Sequence, residues 1–434
     1  ATMTLPAPLT GVVPPVCTPL TPDREVDTAS LTRLVDHLVE GGVDGLFVLG
    51  STSEVAYLTD RQRALVLDTV VRHVGGQLPV LAGAIDMTTP RVLDHARALA
   101  GAGADAVVVT APFYTRTHPA EVARHFRLVA RGCPAPVFAY DLPVSVHTKL
   151  GADLVLELAE EGVLAGLKDS SGDEGGFRAV VLGKRLGLAR FSVLTGSEVT
   201  VDSALAMGAD GVVPGLGNVD PAGYVRLYRA CREGDWARAR AEQERLCGLF
   251  GMVAAGDPAR MGGSSSALGA FKAALHLRGV ITFPTTADPQ IPLSPEETKT
   301  VGKHQARLVG HDDQLGAVPG AQLAHDAADV GLGGQGAQAQ GLGYLRVVEA
   351  ARDQAQDLAL PLRESVGAAL AGRHRQPGVR GAQDAGDQAG RGARRQEGLS
   401  GGHRASGPSR PPGPRRRRAA GSPRCRRGRA CGCP

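Results

Sequence analysis

PVFAYDLP at residues 136–143 and LAGLKDSS at residues 164–171 decide how the chain is read. Each is a short apolar run ending in polar residues, and a stretch of helical length separates them. Unbroken apolar character, in place of alternation, is what a strand buried on both faces of a parallel sheet requires. Tyr140 and Lys168 close the two runs 28 residues apart, so one strand–helix repeat carries the chain from one to the other.

Six further runs follow the same pattern: GVVPPVCTPL (11–20), GLFVLG (45–50), PVLAGAID (79–86), DAVVVTAPF (105–113), FSVLTG (191–196) and GVVPGLG (211–217). Between them lie stretches of helical period, such as TASLTRLVDHLVEGG (28–42) and TDRQRALVLDTVVRHVGG (59–76). Asp27 and Thr59 stand where N-caps belong, and Gly41–Gly42, Gly75–Gly76 and Gly101–Gly103 stand where helices end. Eight such repeats predict a (β/α)8 barrel over residues 1–235. An open doubly wound sheet is the weaker reading, since no G-x-G-x-x-G follows the first strand. GDWARARAEQERLCGLFGMVAAG (234–256) and SSSALGAFKAALHLRG (264–279) read as added helices. A last helix, opened by Ser294-Pro295-Glu296-Glu297, completes a helical subdomain over 236–304.

The composition changes abruptly after that. Residues 1–304 carry 28 Lys and Arg against 33 Asp and Glu, a net −5. Residues 305–434 carry 20 Arg, no Lys and 11 Asp and Glu, a net +9, with 24 of the 58 glycines and one aromatic, Tyr344. Such a segment cannot assemble an apolar face large enough to offset chain entropy. Arg, Ala, Gly and Pro share GC-rich codons and Lys does not, so 305–434 reads as disordered or as a GC-rich gene translated out of frame. A nucleic-acid arm built on Arg415 to Arg418 is disfavoured, because no aromatic interleaves with the arginines to stack on bases.

No apolar run reaches the roughly 20 residues of a membrane span, and ATMTLPAPLT lacks the basic and apolar regions of a secretory signal. The seven cysteines show neither C-x-x-C nor His spacing, so neither a disulfide framework nor a zinc site is expected, and a reducing cytoplasm is.

In a (β/α)8 barrel the chemistry gathers where strands end. Lys168 ends the sixth run on an apolar approach, and Lys occurs only six times in the chain. Desolvation there disfavours the ammonium and yields an amine able to attack a carbonyl; the plain alternative is a surface lysine paired with Asp169. Tyr140 places a phenol beside it as a proton donor and acceptor, or else a core tyrosine hydrogen-bonded to a loop. Gly50-Ser51-Thr52-Ser53-Glu54 offers hydroxyls and amides that suit a carboxylate, or a simple turn. His147 is within reach of a substrate's distal end or is a loop histidine. Cys17 reads as a small buried hydrophobe, and Asp86 and Asp210 as loop anchors.

GSTSE, FYTRTHP (113–119), YDLP (140–143), GLKDSSGD (166–173) and GVVPG (211–215), in this order and spacing, resemble the dihydrodipicolinate synthase/N-acetylneuraminate lyase family of pyruvate-dependent class I aldolases. The resemblance spans residues 9–303. It implies that Lys168 forms an imine with pyruvate or another 2-oxo acid, with Tyr140 as acid and base. Ser51 and Thr52 would hold the carboxylate and relay protons. Tyr114 would complete the site of a neighbouring subunit in a homotetramer or tight dimer, and Val213 would offer a carbonyl near the imine. It implies no metal and no organic cofactor. In the synthase branch an arginine five residues after the tyrosine holds the second substrate's carboxylate; here that position is Ser145, which cannot form a bidentate charged pair. A 2-keto-3-deoxy sugar acid aldolase is therefore expected ahead of the lysine-biosynthesis synthase. The contrasting class is a barrel that binds a 2-oxo acid without catalysis.

Overall fold

In the computed structural model, which describes residues 5–309, the eight apolar runs form eight parallel strands. They are β1 (Gly11–Val12), β2 (Leu46–Val48), β3 (Val80–Gly83), β4 (Ala106–Thr110), β5 (Val137–Asp141), β6 (Gly166–Asp169), β7 (Ser192–Thr195) and β8 (Gly211–Val212). The strands lie in the order β1-β8-β7-β6-β5-β4-β3-β2. Asp44 N donates to Val12 O at 2.8 Å, Phe47 N to Pro14 O at 3.1 Å and Val16 N to Phe47 O at 2.8 Å, which joins the first strand to the second and closes the barrel. Every strand residue is buried, as strands covered on both faces must be.

The helices are α1 (Thr28–Glu40), α2 (Asp60–Val74), α3 (Thr89–Gly101), α4 (Pro119–Gly132), α5 (Pro143–Val146), α6 (Ala152–Glu160), α7 (Glu174–Lys184), α8 (Val201–Met207), α9 (Pro221–Glu233), α10 (Trp236–Phe250), α11 (Gly263–Leu277) and α12 (Pro295–Val309). Asp27 and Thr59 cap α1 and α2, and Gly75 ends α2 in the left-handed conformation. Gly42 and Gly103 are also left-handed, whereas Gly41 is not.

The strands are shorter than the apolar runs that contain them. Proline has no N–H to donate to a ladder, and Pro14, Pro15 and Pro19 hold β1 to two residues. Pro214 does the same to β8, which passes into a 3-10 turn over Gly215–Asn218.

Successive side chains point to opposite sides of each strand. Phe138, Tyr140, Phe47, Leu81, Val108, Leu194 and Val213 fill the barrel interior. Leu167, Val137, Ala139 and Val193 face the helices in the larger core. Gly166 sits on the inner side of β6, where a Cβ would lie 2.2 Å from the Phe138 ring; its missing side chain is the space that ring fills. Lys168, two residues on, shares this inner face.

Ser294 and Glu297 cap each other at the start of α12. The helix runs past position 304 to Val309, and Gln305 donates to Ala274 O on α11 at 3.2 Å. The reading of the tail beyond α12 lies outside the described residues. Among the described residues no helix is long and apolar enough to cross a membrane, and the four cysteines are free, with Cys17 buried as expected.

Candidate active site

Strand pairing places Tyr140 directly beside Lys168. The lysine is 6% exposed and the tyrosine 3%. Lys168 Nζ lies 4.1 Å from the centre of the Tyr140 ring and 4.9 Å from that of Phe47. The two rings meet edge to face at 6.3 Å. Ring faces attract an ammonium without neutralising it, so they hold the side chain and leave its nitrogen free of a carboxylate. Asp169 is not its partner: one residue further on, it faces the opposite way, and its Oδ1 accepts from Ser171 N at 2.8 Å and Ser171 Oγ at 2.7 Å. The plain reading of a surface ion pair is thereby excluded.

Burial alone would raise the pKa of the Tyr140 phenol. The adjacent Lys168 cation, with hydrogen bonds from Ser51, Lys168 and Ser170, outweighs burial and holds it below the ordinary phenol value. Its hydroxyl is therefore easier to ionise and is suited to passing a proton. Ser51 Oγ stands 3.5 Å from Tyr140 Oη, at the edge of hydrogen-bonding range.

The turn after β2 divides into two working halves. Ser51 is exposed and Thr52 half-buried. Ser53 Oγ donates to Val16 O at 2.5 Å, and Thr18 Oγ1 donates to Ser53 O at 2.8 Å. Glu54, left-handed at φ 62°, ion-pairs with Lys272 of α11 and accepts from Ala287 N at 2.7 Å. The second half is thus bolted to the core and to the helices beyond the barrel, and it presents the first half at the barrel mouth. Thr52 faces the loop after β8, its Oγ1 3.4 Å from where a Cβ on Gly215 would stand. Val213 is buried in the inner cluster with Tyr140; its N–H donates to Thr195 O at 2.8 Å, and its carbonyl accepts no hydrogen bond among the described residues.

Lys168, Tyr140 and Val213 therefore converge on the barrel interior, with Ser51 and Thr52 at its rim. Three other expected residues lie at the surface of this single chain. Tyr114 is 89% exposed and left-handed at φ 77°. Ser145 on α5 is exposed, as is His147, which ends that helix in the left-handed region. Asp86 is an anchor, bonded to Met87 N, Arg91 and His95, and Asp210 another, paired with Lys184. A cavity of about 350 Å³ opens beside the ends of β6 and β7, lined by Asp169, Ser170, Thr195, Gly196 and Ser197; it adjoins the lysine's strand without containing the lysine. Among the described residues no cluster of His, Cys, Asp or Glu is arranged to hold a metal.

Three residues at or around the site had not been anticipated from sequence: Phe47 under the ammonium, Lys272 behind Glu54, and Glu198 in the loop after β7. Glu198 carried a visible signal, since Thr195-Gly196-Ser197-Glu198 at the end of β7 echoes Gly50-Ser51-Thr52-Ser53-Glu54 at the end of β2.

Residues 8–307 match the model of the dihydrodipicolinate synthetase family. A DapA-like lyase of Halobacterium salinarum, itself uncharacterized, is 37% identical over 239 residues, 55% of this chain and 77% of its own. A 4-hydroxy-tetrahydrodipicolinate synthase of Kineococcus radiotolerans is 34% identical over 292 residues, 67% of this chain and 90% of its own. The YagE protein of Escherichia coli, provisionally named a 2-dehydro-3-deoxy-D-gluconate aldolase, is 32% identical over 238 residues, 55% of this chain and 79% of its own. Its crystal structure, described as a complex with pyruvate, superposes with a TM-score of 0.65 at 28% identity, covering 69% of this chain and 98% of that one.

Proposed function

The chain belongs to the dihydrodipicolinate synthetase family, and from that premise we propose that it is a Schiff-base aldolase that joins pyruvate to an aldehyde or cleaves the product, with substrates of the 2-keto-3-deoxy sugar acid type. The observation that carries this reading is a buried lysine held by two aromatic faces, beside a phenol of lowered pKa. The Lys168 amine adds to C2 of the 2-oxo acid, and the carbinolamine loses water to give the imine. Loss of a C3 proton leaves an enamine whose C3 bonds to the aldehyde carbon, and water then releases the product and the free amine. Tyr140 moves the protons of carbinolamine collapse, and Ser51 and Thr52 hold the carboxylate. The imine itself is the electron sink, so the scheme calls on neither metal nor organic cofactor.

The choice of aldehyde follows from Ser145. An uncharged, exposed hydroxyl there supplies no cationic clamp, so uncharged polyhydroxylated aldehydes are expected to exceed aspartate semialdehyde in kcat/KM. Loss of one charge-assisted pair is worth about 2–3 kcal/mol, a factor of about 30–150. Ser145→Arg is expected to recover part of that factor for aspartate semialdehyde. The relatives named as 4-hydroxy-tetrahydrodipicolinate synthases favour a second reading, the lysine-pathway synthase. Side-by-side kinetics decide between them, and a clear win for aspartate semialdehyde in the unmodified protein would give the second reading. Binding of pyruvate with no turnover across the aldehyde panel would leave only a 2-oxo-acid-binding barrel.

Tyr114 supports assembly. An aromatic ring 89% exposed on a left-handed backbone is poorly used in a lone chain, and in a homotetramer or dimer it would reach the partner's site. Diluting the protein until it sediments as monomer is expected to remove most of the activity, and Tyr114→Ala to lower kcat without unfolding the barrel. A fully active monomer would take Tyr114 out of the site.

A further inference from the structure

The loop that closes the far side of the site is held by a carboxylate that the scheme above does not use. Glu198, in the loop between β7 and α8, accepts from Gly215 N through Oε1 at 2.6 Å and from Leu216 N through Oε2 at 3.2 Å. Tyr224 of α9 donates to the same Oε2 at 3.1 Å. These amides open the 3-10 turn that follows Val213 and Pro214. Gly215 has no room to spare: a Cβ there would stand 2.9 Å from Glu198 Oε1 and 3.0 Å from the Phe271 ring. From α10, Gln243 Nε2 fixes the Glu198 backbone by donating to its carbonyl at 3.1 Å. One side chain thus ties together the β7 loop, the β8 loop and α9, two residues beyond the Val213 carbonyl and against Thr52.

We propose that Glu198 is a positioning residue whose ionised carboxylate holds the Val213–Gly215 segment in place against Thr52 and Lys168, so that the active geometry exists only when Glu198 is deprotonated. All three hydrogen bonds to the carboxylate come from donors, two of them to Oε2. A proton on Oε2 would weaken its acceptance from the Leu216 N–H and would require the Tyr224 hydroxyl, which also reaches Glu198 O at 3.1 Å, to turn from donor to acceptor.

Burial pushes the Glu198 carboxyl up to about 7, against the Leu216 and Gly215 amides, the Tyr224 hydroxyl and the Lys168 cation, which favour its ionised form. The other groups around this turn titrate elsewhere. Burial holds Tyr224 on α9 well above 10, raises Cys247 on α10 above 9, and depresses His37 of α1, which meets the turn at Asn218 O, to about 4. Because the native value lies above the ordinary 4.5 of a glutamate, the Glu198 contribution to stability is lost as pH rises through about 7.

The role of the segment rests on the Schiff-base reading, and the test separates the two. Deuterium exchange into C3 of pyruvate alone reports imine and enamine formation, borohydride trapping reports the adduct at Lys168, and amide exchange of the peptide over residues 213–218 reports the clamp. Wild-type pyruvate exchange should rise with pH and level off above about 7. Glu198→Gln should still be trapped on Lys168, should exchange pyruvate about 10- to 100-fold more slowly at pH 8, and should lose the inflection near 7. Its melting temperature at pH 8 should be no lower than wild type, an outcome that a purely structural acceptor would not give. Amides 213–218 should lose protection in wild type below pH 7, and in Glu198→Gln at every pH. An unchanged inflection in Glu198→Gln, or amide protection that ignores both pH and the substitution, overturns the proposal. Absence of any adduct in wild type overturns the Schiff-base reading instead, and leaves the clamp to be judged on amide exchange.

Discussion

Lys168→Met is expected to abolish the borohydride-trapped pyruvate adduct and to lower turnover by at least about 10³-fold, since removing a covalent nucleophile leaves only binding and polarisation. Methionine keeps an unbranched side chain of similar length between the Phe47 and Tyr140 rings, so the barrel should still fold and melt cooperatively. Alanine is the poorer probe, because it opens a void in a site where Lys168 is only 6% exposed. A second consequence follows at Tyr140. Burial alone raises its pKa, and the neighbouring cation is the foremost influence lowering it, so the phenol of Lys168→Met should titrate at higher pH in ultraviolet difference spectra. Retained turnover in a folded Lys168→Met protein would remove the imine from the mechanism.

Lys168 and Tyr140 were legible in the sequence because strand geometry is local. Two residues closing apolar runs one repeat apart must sit side by side if those runs are adjacent parallel strands, and alternation then sends Lys168 inward and Asp169 outward. The lengths of β1 and β8 were less legible, since apolar character persists through Pro14, Pro15 and Pro214 while ladder hydrogen bonding does not. Contacts between distant elements were not legible at all. Gly215 looks like a turn glycine, and nothing local shows that Glu198 and Phe271 leave it no room. Glu54 reads as the end of a turn motif, and its partner Lys272 stands among the apolar residues of α11 with no sign that its charge is spoken for. Tyr114 marks another boundary: a residue assigned to a partner's site looks like an exposed loop aromatic from within one chain.

The Lys272–Glu54 pair gives the largest expected effect on stability. Both side chains are fully buried, and each has one further bond: Lys272 Nζ donates to Thr285 O at 2.7 Å, and Ala287 N donates to Glu54 Oε1 at 2.7 Å. Lys272→Met would leave a buried carboxylate facing an apolar side chain, and breaking a buried pair in this way costs about 3–5 kcal/mol. For a domain of about 300 residues that corresponds to a fall in melting temperature of roughly 5–8 °C. Replacing both charges, in Glu54→Gln with Lys272→Met, should restore much of the loss, because the cost lies chiefly in the unpaired charge and not in the missing attraction. Activity should follow a different course from stability. Glu54 fixes the turn that presents Ser51 and Thr52, and its left-handed backbone is held by α11 and by the segment around Ala287. The double variant, though refolded, should therefore keep a raised KM for pyruvate, while the adduct at Lys168 still forms. If Lys272→Met melts as wild type does, the carboxylate must have found water or another cation, and α11 would not be what holds the turn carrying Ser51 and Thr52.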